Sequence, residues 1–109
     1  MEANRKLHNA IGLAMKAGKL RSGDFAVEKL VRAHGAKLVL LDAGASDNTR
    51  DKYAYLCKGA DTPLLTVPSL GTAIGKPARM VAAGTDDNFQ NLIRSALPEG
   101  GAEDSPTRG

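Results

Sequence analysis

Residues 37–44 read KLVLLDAG. Leu38, Val39, Leu40 and Leu41 leave no polar face between them, so the run suits a strand covered on both sides. Asp42 and Gly44 break it, and Ser46 or Asp47 then starts a helix to about Lys58. That helix turns Tyr53, Leu56 and Cys57 inward, and Gly59 is its expected stop. TPLLTV at 62–67 is a second buried strand, with Pro63 suited to its first residue or to a sheet edge. Helices alternating with short buried strands predict an α/β chain, a three-layer α/β/α sandwich around a small mixed sheet.

The same pattern continues outward on both sides. Residues 4–17 place Leu7, Ala10, Ile11, Ala14 and Ala17 on one helical stripe, closed by Gly18. KLR at 19–21 makes a very short strand. Ser22 or Gly23 caps a helix over 24–34, with Phe25, Leu30, Val31 and His34 as expected buried positions and Gly35 as its end. Toward the C-terminus, PSLGTAIGK at 68–76 reads as a turn and a short helix, and ARMVAAG at 78–84 as a fourth strand. Asp86 or Asp87 caps a last helix through Leu97, with Phe89, Leu92, Ile93, Ala96 and Leu97 spaced for burial. The expectation is one domain over residues 1–97 with four strands and five helices. Residues 98–109, PEGGAEDSPTRG, lack the apolar content for packing and are expected to form a disordered acidic tail.

Composition narrows the function classes. A chain of 109 residues can bury a core without disulfides or metal. Aromatics are only 4%, which argues against a single-strand binder built on stacked rings. The one cysteine cannot form an internal disulfide, and this fits a reducing cytoplasm. The first helix is studded with charge and reads as no signal peptide, and no apolar run approaches the roughly 20 residues of a membrane span. Net charge is +3, yet residues 1–37 hold eight Lys/Arg against three acids. A basic face of this kind suits a polyanionic partner.

Catalytic and metal motifs are missing. His8, His34 and Cys57 are scattered, without the close pairs of a zinc site. Gly71 and Gly75 are four apart and Pro77 follows Lys76, so GTAIGK is not a phosphate-binding loop of the nucleotide-binding type. Asp42, Asp47, Asp61, Asp86 and Asp87 stand where helix caps and strand exits put carboxylates. The expectation is a protein that is no enzyme and needs no cofactor or metal. One stretch points to a ligand instead: KLRSGDFAVEK, residues 19–29, sets Lys19 and Arg21 before a helix start and Lys29 on the helix. Helix N-termini favour anions through free N–H groups and the macrodipole.

LHNAIGLAMKAGKLRSG, AKLVLLDAGASDNTRDK and LGTAIGK followed by RMVAAGTDDNF stand in order across residues 5–97. On these blocks the chain resembles the bacterial YlxQ-type proteins of the kink-turn-binding ribosomal protein superfamily (the L-seven-Ae and L-thirty-e proteins). The resemblance implies the same α/β/α sandwich and RNA binding through two neighbouring loops. One is the junction at the second helix, implicating Lys19, Arg21, Ser22, Gly23, Asp24, Phe25, Lys29 and Arg32. The other precedes the LGxAxG segment and implicates Pro68, Ser69, Leu70 and Gly71. Kink-turn binders carry Gly-x-Asn-Glu-x-x-Lys at the first loop, and Gly23 and Lys29 match its ends. Phe25 stands for the Asn and Ala26 for the Glu, so those two hydrogen bonds to base edges are lost. Gly44 likewise occupies the place of a frequent Asp.

The partner this implies is structured RNA, ribosomal or otherwise bent or bulged, with the ribosome or translation factors nearby and the protein a cytoplasmic monomer. Phe25 is open to two readings, a core or staple residue and a stacking platform for an unpaired base. Two rival functions also follow. One is a protein-interaction module that keeps the fold without RNA recognition. The other is a small enzyme or a substrate-recognition domain of an RNA-modifying enzyme, which requires a polar cluster at the strand ends.

Overall fold

The computed structural model describes residues 2–96, with the side chains of residues 2–4 and of Phe89 outside the description. The elements follow as α1 (Glu2–Lys16), β1 (Leu20–Ser22), α2 (Asp24–Arg32), β2 (Leu38–Asp42), α3 (Asp47–Ala60), β3 (Leu64–Val67), α4 (Leu70–Ile74), β4 (Val81–Gly84) and α5 (Asp87–Ser95). The four strands form one mixed sheet in the order β1-β4-β2-β3. β2 and β3 are parallel, while β4 runs antiparallel to both β1 and β2. The expected three-layer sandwich is therefore present.

The strand alternation of β2 explains the layers. Leu38 and Leu40 face one side, packing with Leu7, Ile11, Ala14, Leu70, Ile74 and Ile93 of α1, α4 and α5. Val39 and Leu41 face the other, packing with Val27, Val31, Tyr53, Leu56 and Cys57 of α2 and α3. All four β2 apolar residues are buried, which is why the run carries no polar position. Pro63 precedes β3, an edge strand, where its missing N–H costs no ladder bond. Cys57 is 3% exposed, and burial pushes its thiol up to about 11. Among the described residues no helix is long and apolar enough to cross a membrane.

Several expected positions differ. Ala17 is exposed, because α1 stops at Lys16 and the chain turns toward β1. α2 ends at Arg32 rather than residue 34, and His34 takes a left-handed φ of 61° that points it to solvent. Phe25 is 80% exposed, since the buried stripe of α2 is Val27 and Val31. Gly59 lies inside α3, and Asp61 ends that helix in the left-handed region. Leu92 is 38% exposed, whereas Ile93 and Ala96 are buried as expected. Leu97 and the tail at 98–109 lie outside the described residues.

Candidate nucleic-acid interface

Sheet direction gathers four chain segments at one end. β1, β2 and β3 finish there and β4 begins there. Backbone bonds tie the segments together: Gly23 N–H donates to Val81 O at 3.0 Å, Asp42 N–H to Met80 O at 2.8 Å, and Ala43 N–H to Val67 O at 2.9 Å. Asp42 organises the rest. Its Oδ1 accepts from Leu70 N–H and its Oδ2 from Gly44 N–H, each at 2.7 Å, fixing the start of α4 to the exit of β2. Ser46 caps α3, its Oγ accepting from Thr49 N–H at 3.2 Å.

The start of α2 is different, because no side chain caps it. Val27 N–H is the first to find a helical acceptor, Gly23 O at 3.0 Å, so the amides of Asp24, Phe25 and Ala26 precede the ladder. Gly23 itself has φ 101°, a conformation other residues rarely adopt. Arg79, from the α4–β4 segment, reaches across it: Nη1 donates to Ser22 O at 3.4 Å, and a Cβ on Gly23 would lie 2.1 Å from that nitrogen. Only glycine leaves room for the guanidinium here. Gly23, Asp24, Thr49, Ala78, Arg79, Met80 and Val81 line an open cleft of about 550 Å³.

Two acids stand near this helix start, and both turn toward α3. Asp24 Oδ1 accepts from Tyr53 Oη at 2.5 Å and from Lys52 Nζ at 2.9 Å, and Lys52 also meets Glu28 at 2.8 Å. The Tyr53 hydrogen bond first, and Lys52 second, hold the Asp24 carboxyl below the usual carboxylate range. Glu28 is lowered by Lys52 and then Arg32. Lys52 is raised by Glu28 and then Asp24, while the Tyr53 phenol is raised by burial and then by Asp24. Their charge is thus engaged within the α2–α3 layer.

Tyr53→Phe is expected to lower stability by about 2 kcal/mol, because it removes a hydrogen bond to a charged group at a buried ring. Asp24 is lowered in the folded state, so its contribution is full above the ordinary value of 3.8 and fades as pH falls through the folded pKa. Urea unfolding of both proteins from pH 7 to pH 2.5 should therefore show the gap narrowing only in acid; a gap that stays constant contradicts this account.

The residues implicated by sequence do not all meet. Ser22, Gly23, Asp24 and Phe25 lie at the α2 start, and Lys29 sits one turn on and exposed. Lys19 is at the opposite end of β1, 3.4 Å from Asp86, and Arg21 leans back toward Gly18 O at 3.4 Å. Arg32 ends α2 and pairs with Glu28 at 2.9 Å. Pro68 and Ser69 are exposed on the far edge strand's exit, with β2 and β4 between them and β1, and His8 Nε2 is 2.7 Å from Pro68 O. Leu70 and Gly71 are buried. The segment beside Gly23 is 78–81, after α4, rather than 68–71. Arg79, Lys52 and Tyr53 were not among the residues implicated; the basic pair Lys76 and Arg79 right after the LGxAxG block is the signal that marks that loop. Among the described residues no group of His, Cys, Asp and Glu could hold a metal ion.

Comparison with known proteins agrees with this architecture. The model of the ribosomal protein L7Ae/L30e/S12e/Gadd45 family matches residues 5–93. The RNA-binding protein YlxQ of Bacillus subtilis is 44% identical over 90 residues, covering 80% of this chain and 90% of that protein. The large ribosomal subunit protein eL30 of Methanopyrus kandleri is 28% identical over 106 residues, covering 90% of this chain and 97% of its own. Among solved structures, a Bacillus halodurans protein of unknown function superposes with a TM-score of 0.77 at 31% identity, covering 84% of this chain and 95% of the other. The Giardia lamblia 15.5kD RNA binding protein shares the fold at a TM-score of 0.69 and 21% identity, covering 88% of this chain and 85% of its own. With residues 5–93 matched by the family model and a relative 44% identical over 80% of this chain, the chain belongs to the ribosomal protein L7Ae/L30e/S12e/Gadd45 family.

Proposed function

We propose that this protein binds structured RNA, without catalysis, at the end of the sheet where β1 passes into α2. Family membership and the RNA-binding names of its relatives support the reading. One arrangement carries it: the Arg79 guanidinium lies across a glycine that opens an uncapped helix. A planar fork of N–H donors beside free backbone amides suits a phosphate. Lys29, exposed one turn along, adds a second cation. These groups position a backbone without reading sequence. Phe25 and Ala26 bring no base-edge hydrogen bonds, so selection rests on the shape of a bent or bulged RNA rather than on the base pairs that a kink-turn pattern would read. A ribosomal or translation-associated RNA, met by a cytoplasmic monomer, fits this chemistry.

Fluorescence anisotropy with a hairpin RNA carrying an internal loop, from 50 to 300 mM KCl, tests the surface. Arg79→Ala and Lys29→Ala should each weaken binding and each flatten the log–log salt slope by about one unit. If both variants keep the slope and affinity of the parent protein, the RNA surface lies elsewhere. If the parent protein binds no RNA and purifies with a protein-only absorbance ratio, the interaction-module function stands instead.

A further inference from the structure

We infer that Phe25 is a stacking platform for a single unpaired base, so that the preferred ligand is an RNA with an extruded nucleotide rather than a continuous duplex. This rests on the RNA-binding reading of the same surface. The chain has only two phenylalanines and two tyrosines, yet Phe25 is left 80% exposed. It gains nothing there for the core, since Val27 and Val31 fill the inner stripe of α2 and Phe25 projects from the opposite side. Lys29, four residues on, shares that outer side and holds its Nζ 5.8 Å from the ring centroid.

The surroundings favour a nucleobase over an apolar protein patch. Phe25 directly follows Asp24, which lines the open cleft together with Gly23, Arg79 and Met80, the last 43% exposed. The Lys29 ammonium stands over its ring, and the uncapped start of α2 lies beside it. Every base has a π-face, so such a ring takes a base of any identity, whereas a paired duplex offers only edges. Lys29 stands about 6 Å along the helix axis, within reach of the phosphate next to a base on the ring. Charge therefore complements the stacked nucleotide, and base-edge readout is replaced by a face contact at the position where Asn stands in kink-turn binders.

The test uses the full chain and two hairpins identical except for one bulged 2-aminopurine nucleotide. Phe25→Ala should keep the parent circular dichroism and melting temperature, because the ring is exposed. It should lose about ten-fold in affinity for the bulged hairpin and little for the paired one, and it should abolish the change in 2-aminopurine emission on binding. Phe25→Trp should keep both affinity and emission change. Equal affinity of Phe25→Ala and the parent for the bulged hairpin overturns the inference, as does an equal loss on both hairpins. A parent protein that binds neither hairpin overturns the RNA-binding function itself, a result distinct from either.

Discussion

Gly71→Ala is expected to destabilise the protein by about 3 kcal/mol and to weaken RNA binding as well. Ala inside a helix normally gains roughly 0.5–1 kcal/mol over Gly, so the sign of the effect is diagnostic. A Cβ on Gly71 would sit 2.6 Å from Pro77 O and 2.8 Å from Lys76 O. Both are backbone atoms, which cannot rotate aside as a side chain would. The loop must move, and Arg79 moves with it, because Lys76 N–H donates to Gly71 O at 2.8 Å and Arg79 N–H donates to Lys76 O at 2.9 Å. Urea unfolding should show a lower midpoint at an unchanged slope. A variant as stable as the parent would mean that α4 and the following loop are not held at this spacing.

Gly23→Ala follows, with a different division between stability and binding. Its φ of 101° is strained for any side chain, at about 1–3 kcal/mol. The nearest atoms to the new Cβ are Arg79 Nη1 at 2.1 Å and Cζ at 3.3 Å, the end of a flexible side chain. The guanidinium would swing away, so the fold loses only the backbone strain while RNA loses its cation. Combining Gly23→Ala with Arg79→Ala should then cost RNA affinity barely more than Arg79→Ala alone. Fully additive losses in affinity would show that the two residues act separately.

These effects hinge on contacts that the linear sequence displays unevenly. KLVLLDAG was legible because burial on both faces removes polar residues from a strand. The α2 pattern misled because an apolar identity was read as burial: Phe25 and Val27 are two residues apart and so fall on opposite sides of the helix, and only Val27 meets the sheet. Gly23 announced a helix start, but its partner Arg79 did not, being 57 residues from Ser22 and brought back by the pairing of β1 with β4. Lys19 looked close to Gly23 along the chain. An intervening strand carries it instead to the other end of the sheet, where it meets Asp86. Proximity in sequence survives a turn and is lost across a strand, and that difference separates the implicated residues that meet at the proposed surface from those that do not.

The sealed thiol of Cys57 has a practical corollary. Protonated at neutral pH and walled in by Tyr53, Leu56 and the sheet, it presents no thiolate to maleimides or mild oxidants. A new cysteine at Ala54, on the outward side of α3, can take a fluorophore while the native one stays silent. The chain is thus ready for single-molecule distance measurements against dye-tagged oligonucleotides without first rebuilding its interior.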